Sequence, residues 1–304
     1  MERIGRFAAI TVLLLAVVPL LHGAPRRSGS PSEAEVKKIQ AAAPKKATAK
    51  PAKPRKMLVL SYQSHNRGRL AGEKALEIMA KQTGAYEPTF VTDKNALGET
   101  VMPEVLSKYD AVCVNNSTGG QGKAKNGKTL VENLGDYVKA GGGLVGIHAA
   151  TDNRFGEVFG GFFSGHPWHE VVGVKVDDPG HPLCKVFANK GFLFRDEIYI
   201  FKRIYTRKNL RILLSLDMAK TSAKRGRDDN DHAVAWVRKL GKGRIFYCSL
   251  GHNPHIFWDA RLLAFYLDGI QFALGDIQAD TTPSAALAEQ PKPALVPDDA
   301  PKPK

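Results

Sequence analysis

The 304-residue sequence has little cysteine, few aromatics and almost no long apolar run. Its three cysteines, Cys113, Cys184 and Cys248, lack paired spacing, which argues against a disulfide framework or a zinc ribbon. Cys113 and Cys248 sit inside apolar, strand-like runs and read as small buried hydrophobes. Aromatic residues make up 8% of the chain and do not interleave with basic ones. No nucleic-acid motif is present, so no nucleic-acid partner is expected. No internal repeat occurs. The apolar run over residues 7–21 is too short for a comfortable membrane span.

What that run does have is a basic start, Arg3 and Arg6, and the length of a secretory apolar segment. Residues 1–24 are therefore read as a signal peptide, and the protein as exported to the periplasm or the extracellular space. His22-Gly23-Ala24 is only a passable cleavage site, and Pro25 behind it is unfavourable. An uncleaved N-terminal anchor, giving a membrane tether, is the runner-up.

Residues 25–56 are rich in Ala, Pro, Lys and Arg and lack apolar periodicity, so a disordered basic linker is expected. Residues 276–304 are Pro/Ala-rich and read as a second disordered tail. One domain over residues 57–275 remains, long enough for a sizeable core. The net charge is +14, but residues 1–56 carry 12 basic and 3 acidic side chains, so most of the excess precedes the domain. A soluble tether is the first reading of it, ahead of contact with anionic polymer or lipid surfaces.

Within the domain, strand-like runs at residues 57–62, 86–92 and 111–115 alternate with helical spacing at 71–82, 104–108 and 129–140. Residues 144–147 form a further short apolar strand. This order predicts a doubly wound α/β fold with a mostly parallel sheet, in which ligands bind beyond the strand carboxyl ends. The second half shows strand-like runs at 171–176, 192–194, 211–216, 233–237 and 244–249, where antiparallel additions are expected. A closing amphipathic helix follows at 258–274.

Chemistry centres on Gly146, His148 and Ala150. This small-x-polar-x-small pattern after a strand is the spacing of a nucleophile elbow, here raising a histidine. Other polar residues cluster after apolar runs or glycine turns. These are His65, Thr151 and Asp152, His166 and His169 around Pro167-Trp168, Asp196 and Glu197, and His252. Histidine with carboxylate suits acid–base work or binding of a transition metal. Simpler readings stand beside these. His166 and His169 could be a metal pair or a hydrogen-bonded turn. Glu197 could pair with Arg195, and His65 could be a solvated loop residue. His181, His232 and His255 read as ordinary turn or loop residues.

At these residues the chain resembles the ThuA-like (trehalose utilisation) family. The resemblance is carried by GGGLVGIHAATD, GGFFSGHPWHEVVGVKVDDPGHP, DEIY, AVAWVRKLGKGRIFYCSLGH and FYLDGIQFALG, in order over nearly the whole domain. Ala233 stands where the family pattern often has proline. The resemblance implies a class I glutamine amidotransferase-like, flavodoxin-like α/β fold and a link to carbohydrate catabolism through keto sugars. It marks His65, His148, His166, Glu197 and His252 as site candidates.

The combined expectation is cleavage of an oxidised (keto) glycoside by hydrolysis or elimination, with a carbohydrate as partner. His148 and Glu197 would be catalytic, and His65, Asp152 and His169 would contact substrate. His148, His166 and His252 would hold a divalent metal such as zinc, if one assists. A non-catalytic sugar-binding or interaction module is the rival. Glutamine amidotransferase activity is not expected, because His148 takes the place of the thiolate at the elbow.

Overall fold

The computed structural model describes residues 29–303, except 63–66, 121, 152–153, 203 and 224–225. The expected signal segment lies outside the described residues, as do His65 and Asp152. No helix among the described residues is long and apolar enough to cross a membrane.

Eleven strands are described: β1 (Lys56–Leu60), β2 (Glu87–Val91), β3 (Ala111–Asn115), β4 (Gly143–Ile147), β5 (Phe162–Trp168), β6 (Val171–Val176), β7 (Phe192–Arg195), β8 (Ile198–Lys202), β9 (Arg211–Leu216), β10 (Ala233–Leu240) and β11 (Gly243–Cys248). The helices are α1 (Glu33–Ala42), α2 (Arg67–Thr83), α3 (Leu97–Thr100), α4 (Pro103–Leu106), α5 (Leu130–Ala140), α6 (Phe155–Phe159) and α7 (Ala260–Leu274).

Nine strands form one sheet in the order β2-β1-β3-β4-β11-β10-β9-β6-β7. From β2 to β11 every neighbour is parallel. From β11 to β7 every neighbour is antiparallel. The expected parallel core with antiparallel additions is therefore observed.

Period-two alternation sends neighbouring residues of each strand to opposite faces. Met57, Val59, Cys113, Val145 and Ile147 join one core with residues of α2 and α7. Leu58, Leu60, Val112, Val114 and Leu144 join a second core with residues of α5 and α6. Both faces of the central strands are covered, which is why they read as continuous apolar runs. Helix α5 starts at a capping box between Thr129 and Glu132 and stops at Gly141, whose φ is 128°. Strands β5 and β8 lie outside the large sheet as an antiparallel pair, broken by register shifts between Phe163 and Gly165 and between Gly165 and Trp168.

Two expectations of disorder are corrected. The expected disordered linker instead contains α1, which opens with a capping box between Ser32 and Glu35 and buries Ile39 completely. The chain after α1 is held by polar groups. Gln271 accepts from the Thr48 and Ala49 amides, Asp268 from the Thr48 hydroxyl, and Asp276 from Arg55. The expected disordered tail pairs its backbone at Ala294 with Val176 and buries Val296. The Ser284 hydroxyl accepts from the Ile212 amide. These contacts use hydrogen bonds and single apolar anchors, which leave no periodicity in a sequence.

Candidate active site

Strand β4 ends in an abrupt turn at His148, whose φ of 52° lies in the left-handed region. That conformation costs a non-glycine residue roughly 1–2 kcal/mol. Neighbouring groups hold it in place. Gly146 allows close packing, since a Cβ there would lie 2.5 Å from the Phe159 ring and 2.7 Å from the Tyr247 ring. The Tyr247 hydroxyl donates to the His148 carbonyl at 2.7 Å. The His148 ring rests 4.4 Å from the Tyr199 ring, centroid to centroid, and is 1% exposed.

The tautomer of His148 follows from its neighbours. Its Nδ1 lies 2.7 Å from the Ser249 carbonyl, which can only accept, so Nδ1 carries a hydrogen. Nε2 then faces Oε2 of Glu197 at 3.1 Å. A neutral ring would aim a lone pair at a carboxylate. The contact is favourable only with a proton or another cation between them.

Glu197 sits in the turn between β7 and β8. Its Oε2 also meets Nδ1 of His252 at 3.2 Å. Its Oε1 faces Nδ1 of His166 at 3.3 Å and Nδ1 of His169 at 4.0 Å. His166 Nδ1 and His169 Nε2 are 3.0 Å apart. Four histidines, from the turn after β4, from β5 and the residue that follows it, and from the loop after β11, thus surround one carboxylate. Burial opposes ionisation of Glu197, but hydrogen bonds from His148 and His252, and their charge, override it and hold the carboxyl far below its usual range. The bond to Glu197 raises the pKa of His252 against partial burial.

The residue before Glu197 builds the loop that carries His252. Asp196 is fully buried and accepts from the amides of Gly251, His252 and Asn253 at 2.7, 3.2 and 3.0 Å. It also accepts from the Asn253 side chain at 3.0 Å. Asn116, at the end of β3, donates to the Gly251 carbonyl at 2.7 Å. Gly251 has φ 148°, and a Cβ there would lie 2.9 Å from Ile147.

The structure brings together His148, Glu197, His166, His169 and His252. His65 and Asp152 fall outside the described residues. The donor atoms regroup the expected metal set. His148, Glu197 and His252 form one triad, and His166, His169 and Glu197 another, with the atoms of each triad within 4.8 Å of one another. His166 therefore groups with His169 and not with His148 and His252. Arg195 donates to the His169 carbonyl, and among the described residues the ion pairs of Glu197 are all with histidines. His181 caps a short 3₁₀ helix by accepting from the Leu183 amide, in keeping with its reading as a turn residue. Sequence reasoning missed the loop-holding role of Asp196 and the positioning by Asn116, Tyr199 and Tyr247. Asp196 stands among the clustered polar residues of the sequence, but nothing in the local pattern shows that it faces the backbone of residues 251–253.

A family model described as trehalose utilisation, ThuA, matches residues 56–273. Among solved structures, a ThuA-like protein from Bacteroides uniformis superposes with a TM-score of 0.59 at 22% identity, covering 74% of this chain and 94% of that one. Another, from Parabacteroides merdae, superposes with a TM-score of 0.53 at 17% identity, covering 82% and 95%. At these identities the likeness concerns the fold. No curated protein matches the chain by sequence.

Proposed function

We propose, from the premise that the chain belongs to the ThuA (trehalose utilisation) family, that the His148–Glu197–His252 centre cleaves an oxidised (keto) glycoside. The observation that carries this reading is the fixed tautomer of His148. Its Nδ1–H is committed to the Ser249 carbonyl, so Nε2 is the atom that exchanges a proton, and Glu197 balances the imidazolium charge.

A ketone in a sugar ring acidifies the neighbouring C–H. His148, in the neutral state whose Nε2 lone pair faces Glu197, takes that proton, and the imidazolium so formed pairs with the carboxylate. The glycosidic C–O bond on the next carbon then breaks, with its electron pair leaving on oxygen. His252, which the bond to Glu197 keeps in its protonated form to higher pH, returns a proton to that oxygen. Addition of water to the resulting double bond completes a net hydrolysis, and release before addition gives a lyase.

The two donor triads also support a metal-assisted form, in which His148 Nε2 would be a ligand and a water polarised by the ion would serve as the base in its place. Zinc or a similar divalent ion would polarise the ketone. We further propose that the protein is exported, because residues 7–21 follow Arg3 and Arg6. A reporter fused after residue 28 should then leave the cytoplasm.

The main test is turnover of keto-disaccharides and of the parent disaccharides by the purified protein. The keto forms should be cleaved, and His148→Ala should lower the rate by about 100-fold or more. Binding of sugar with no turnover of any form would overturn the reaction and favour a non-catalytic sugar-binding module.

A further inference from the structure

We propose that Glu197 bridges two divalent cations, one held with His148 and His252 and the other with His166 and His169. The proposal deepens the metal-assisted form of the reaction above and rests on it.

The first argument is the division of the carboxylate. Oε2 faces one pair of histidines and Oε1 the other, so each oxygen belongs to its own triad. A single ion cannot use both sets. The second argument is spacing. Bonds of about 2.1 Å at tetrahedral angles place ligand atoms about 3.4 Å apart. The donors around Oε2 stand 3.1 and 3.2 Å from it, and His166 stands 3.3 Å from Oε1. His169 offers Nε2, 3.0 Å from His166 Nδ1, and since even its nearer nitrogen is 4.0 Å from Oε1 its exposed ring has to turn toward the ion.

Hydrogen accounting gives the third argument. His166 Nδ1 lies within 3.3 Å of both His169 Nε2 and Glu197 Oε1, and it can carry one hydrogen at most. An ion satisfies all three groups at once. His148 supplies the fourth argument. It already has the second-sphere bond, Nδ1–H to a backbone carbonyl, that fixes a metal-binding imidazole. No lysine or arginine reaches Glu197 among the described residues, so a permanent positive charge would fill a gap. Imidazole-rich donors with one carboxylate suit zinc, cobalt or nickel better than magnesium or calcium.

The two sites differ in access. The His148 side chain is 1% exposed, whereas those of His166 and His169 are 44% and 56% exposed. His252 is 41% exposed, so the inner ion would be covered on its His148 side only, whereas both histidines of the outer ion are open to water or a sugar oxygen. A bridged pair would hold its ions about 3.5–4 Å apart.

The full-length protein is stripped with a chelator, dialysed against zinc chloride and assayed for bound metal. Two zinc ions per chain are expected, the outer one at least tenfold weaker. His169→Gln, at an exposed position, should bind one zinc with an unchanged melting temperature. Glu197→Gln should lose the second ion and weaken the first. The manganese-loaded protein should give a spin-coupled resonance spectrum, since a bridge couples the ions. One zinc per chain in the wild type, or two that persist in both variants, would overturn the proposal. So would an uncoupled manganese spectrum. Keto-disaccharide turnover that survives the chelator would overturn it too, while leaving the acid–base reaction standing. Two coupled ions without sugar turnover would support the metal pair and overturn the carbohydrate reading instead.

Discussion

Asp196 and Glu197 are neighbours in sequence and act on the same histidine in different ways. Asp196 grips the backbone that carries His252, and Glu197 meets its ring. One carboxylate fixes where the loop is, and the other uses what the loop presents. Both come from the turn after β7, a strand at the far edge of the large sheet.

Substitution of Asp196 separates these tasks. Asp196→Asn keeps the shape but turns part of the acceptor set into a donor facing donors. It should cost about 2–4 kcal/mol, because buried amides lose their partner. Hydrogen exchange at residues 251–253 should quicken well before global unfolding. Unchanged exchange at those amides would show that Asp196 does not hold the loop.

The two terminal segments should be needed for stability. Ile39 is fully buried, and its replacement by alanine should cost about 2–4 kcal/mol. In a unit of this size that corresponds to a fall in melting temperature of roughly 4 °C or more. Removal of residues 276–304 should also lower it, since the Ala294–Val176 pairing and the Ser284 contact are lost. A truncated domain over residues 57–275 with full stability would refute both expectations.

Glutamine should not release ammonia in the presence of this protein. Cys113, Cys184 and Cys248 are all fully buried, and burial pushes each thiol above its usual range. None can act as the thiolate that amide attack requires. Ammonia release that is sensitive to His148→Ala would contradict this.

The parallel core was legible because strands covered on both faces spell unbroken apolar runs, as residues 111–115 do. The elbow was legible from the small residues beside His148. Strand β5 was not, because its register shifts disturb the alternation around His166. The segment around α1 was read as a linker on its composition, although Ser32 and Glu35 already have capping-box spacing. The tail gave no signal at all, since backbone pairing at Ala294 is indifferent to side chains. The meeting of His166, His169 and Glu197 depends on how β5 pairs with β8, which no local pattern encodes.

The last expectation concerns Asp268 on α7, which accepts from the Thr48 hydroxyl. Burial pushes its carboxyl up to about 6 from an ordinary value of 3.8, while the bond from the Thr48 hydroxyl acts the other way. The folded form therefore holds its proton at pH values where the unfolded chain has lost it. Stability from this group is complete below about pH 4, declines as pH rises to about 6, and is flat above that. The decline is on the order of 2–3 kcal/mol, from a shift of about two units. Asp268→Asn removes the titration and keeps an oxygen to accept from Thr48. The variant should match the wild type near pH 4 and exceed it near pH 7.5. Titration of the site histidines is common to both proteins and cancels in the difference. Urea unfolding of both proteins at the two pH values provides the check. An equal difference at both would mean that Asp268 ionises normally and that its contact with Thr48 is an ordinary hydrogen bond.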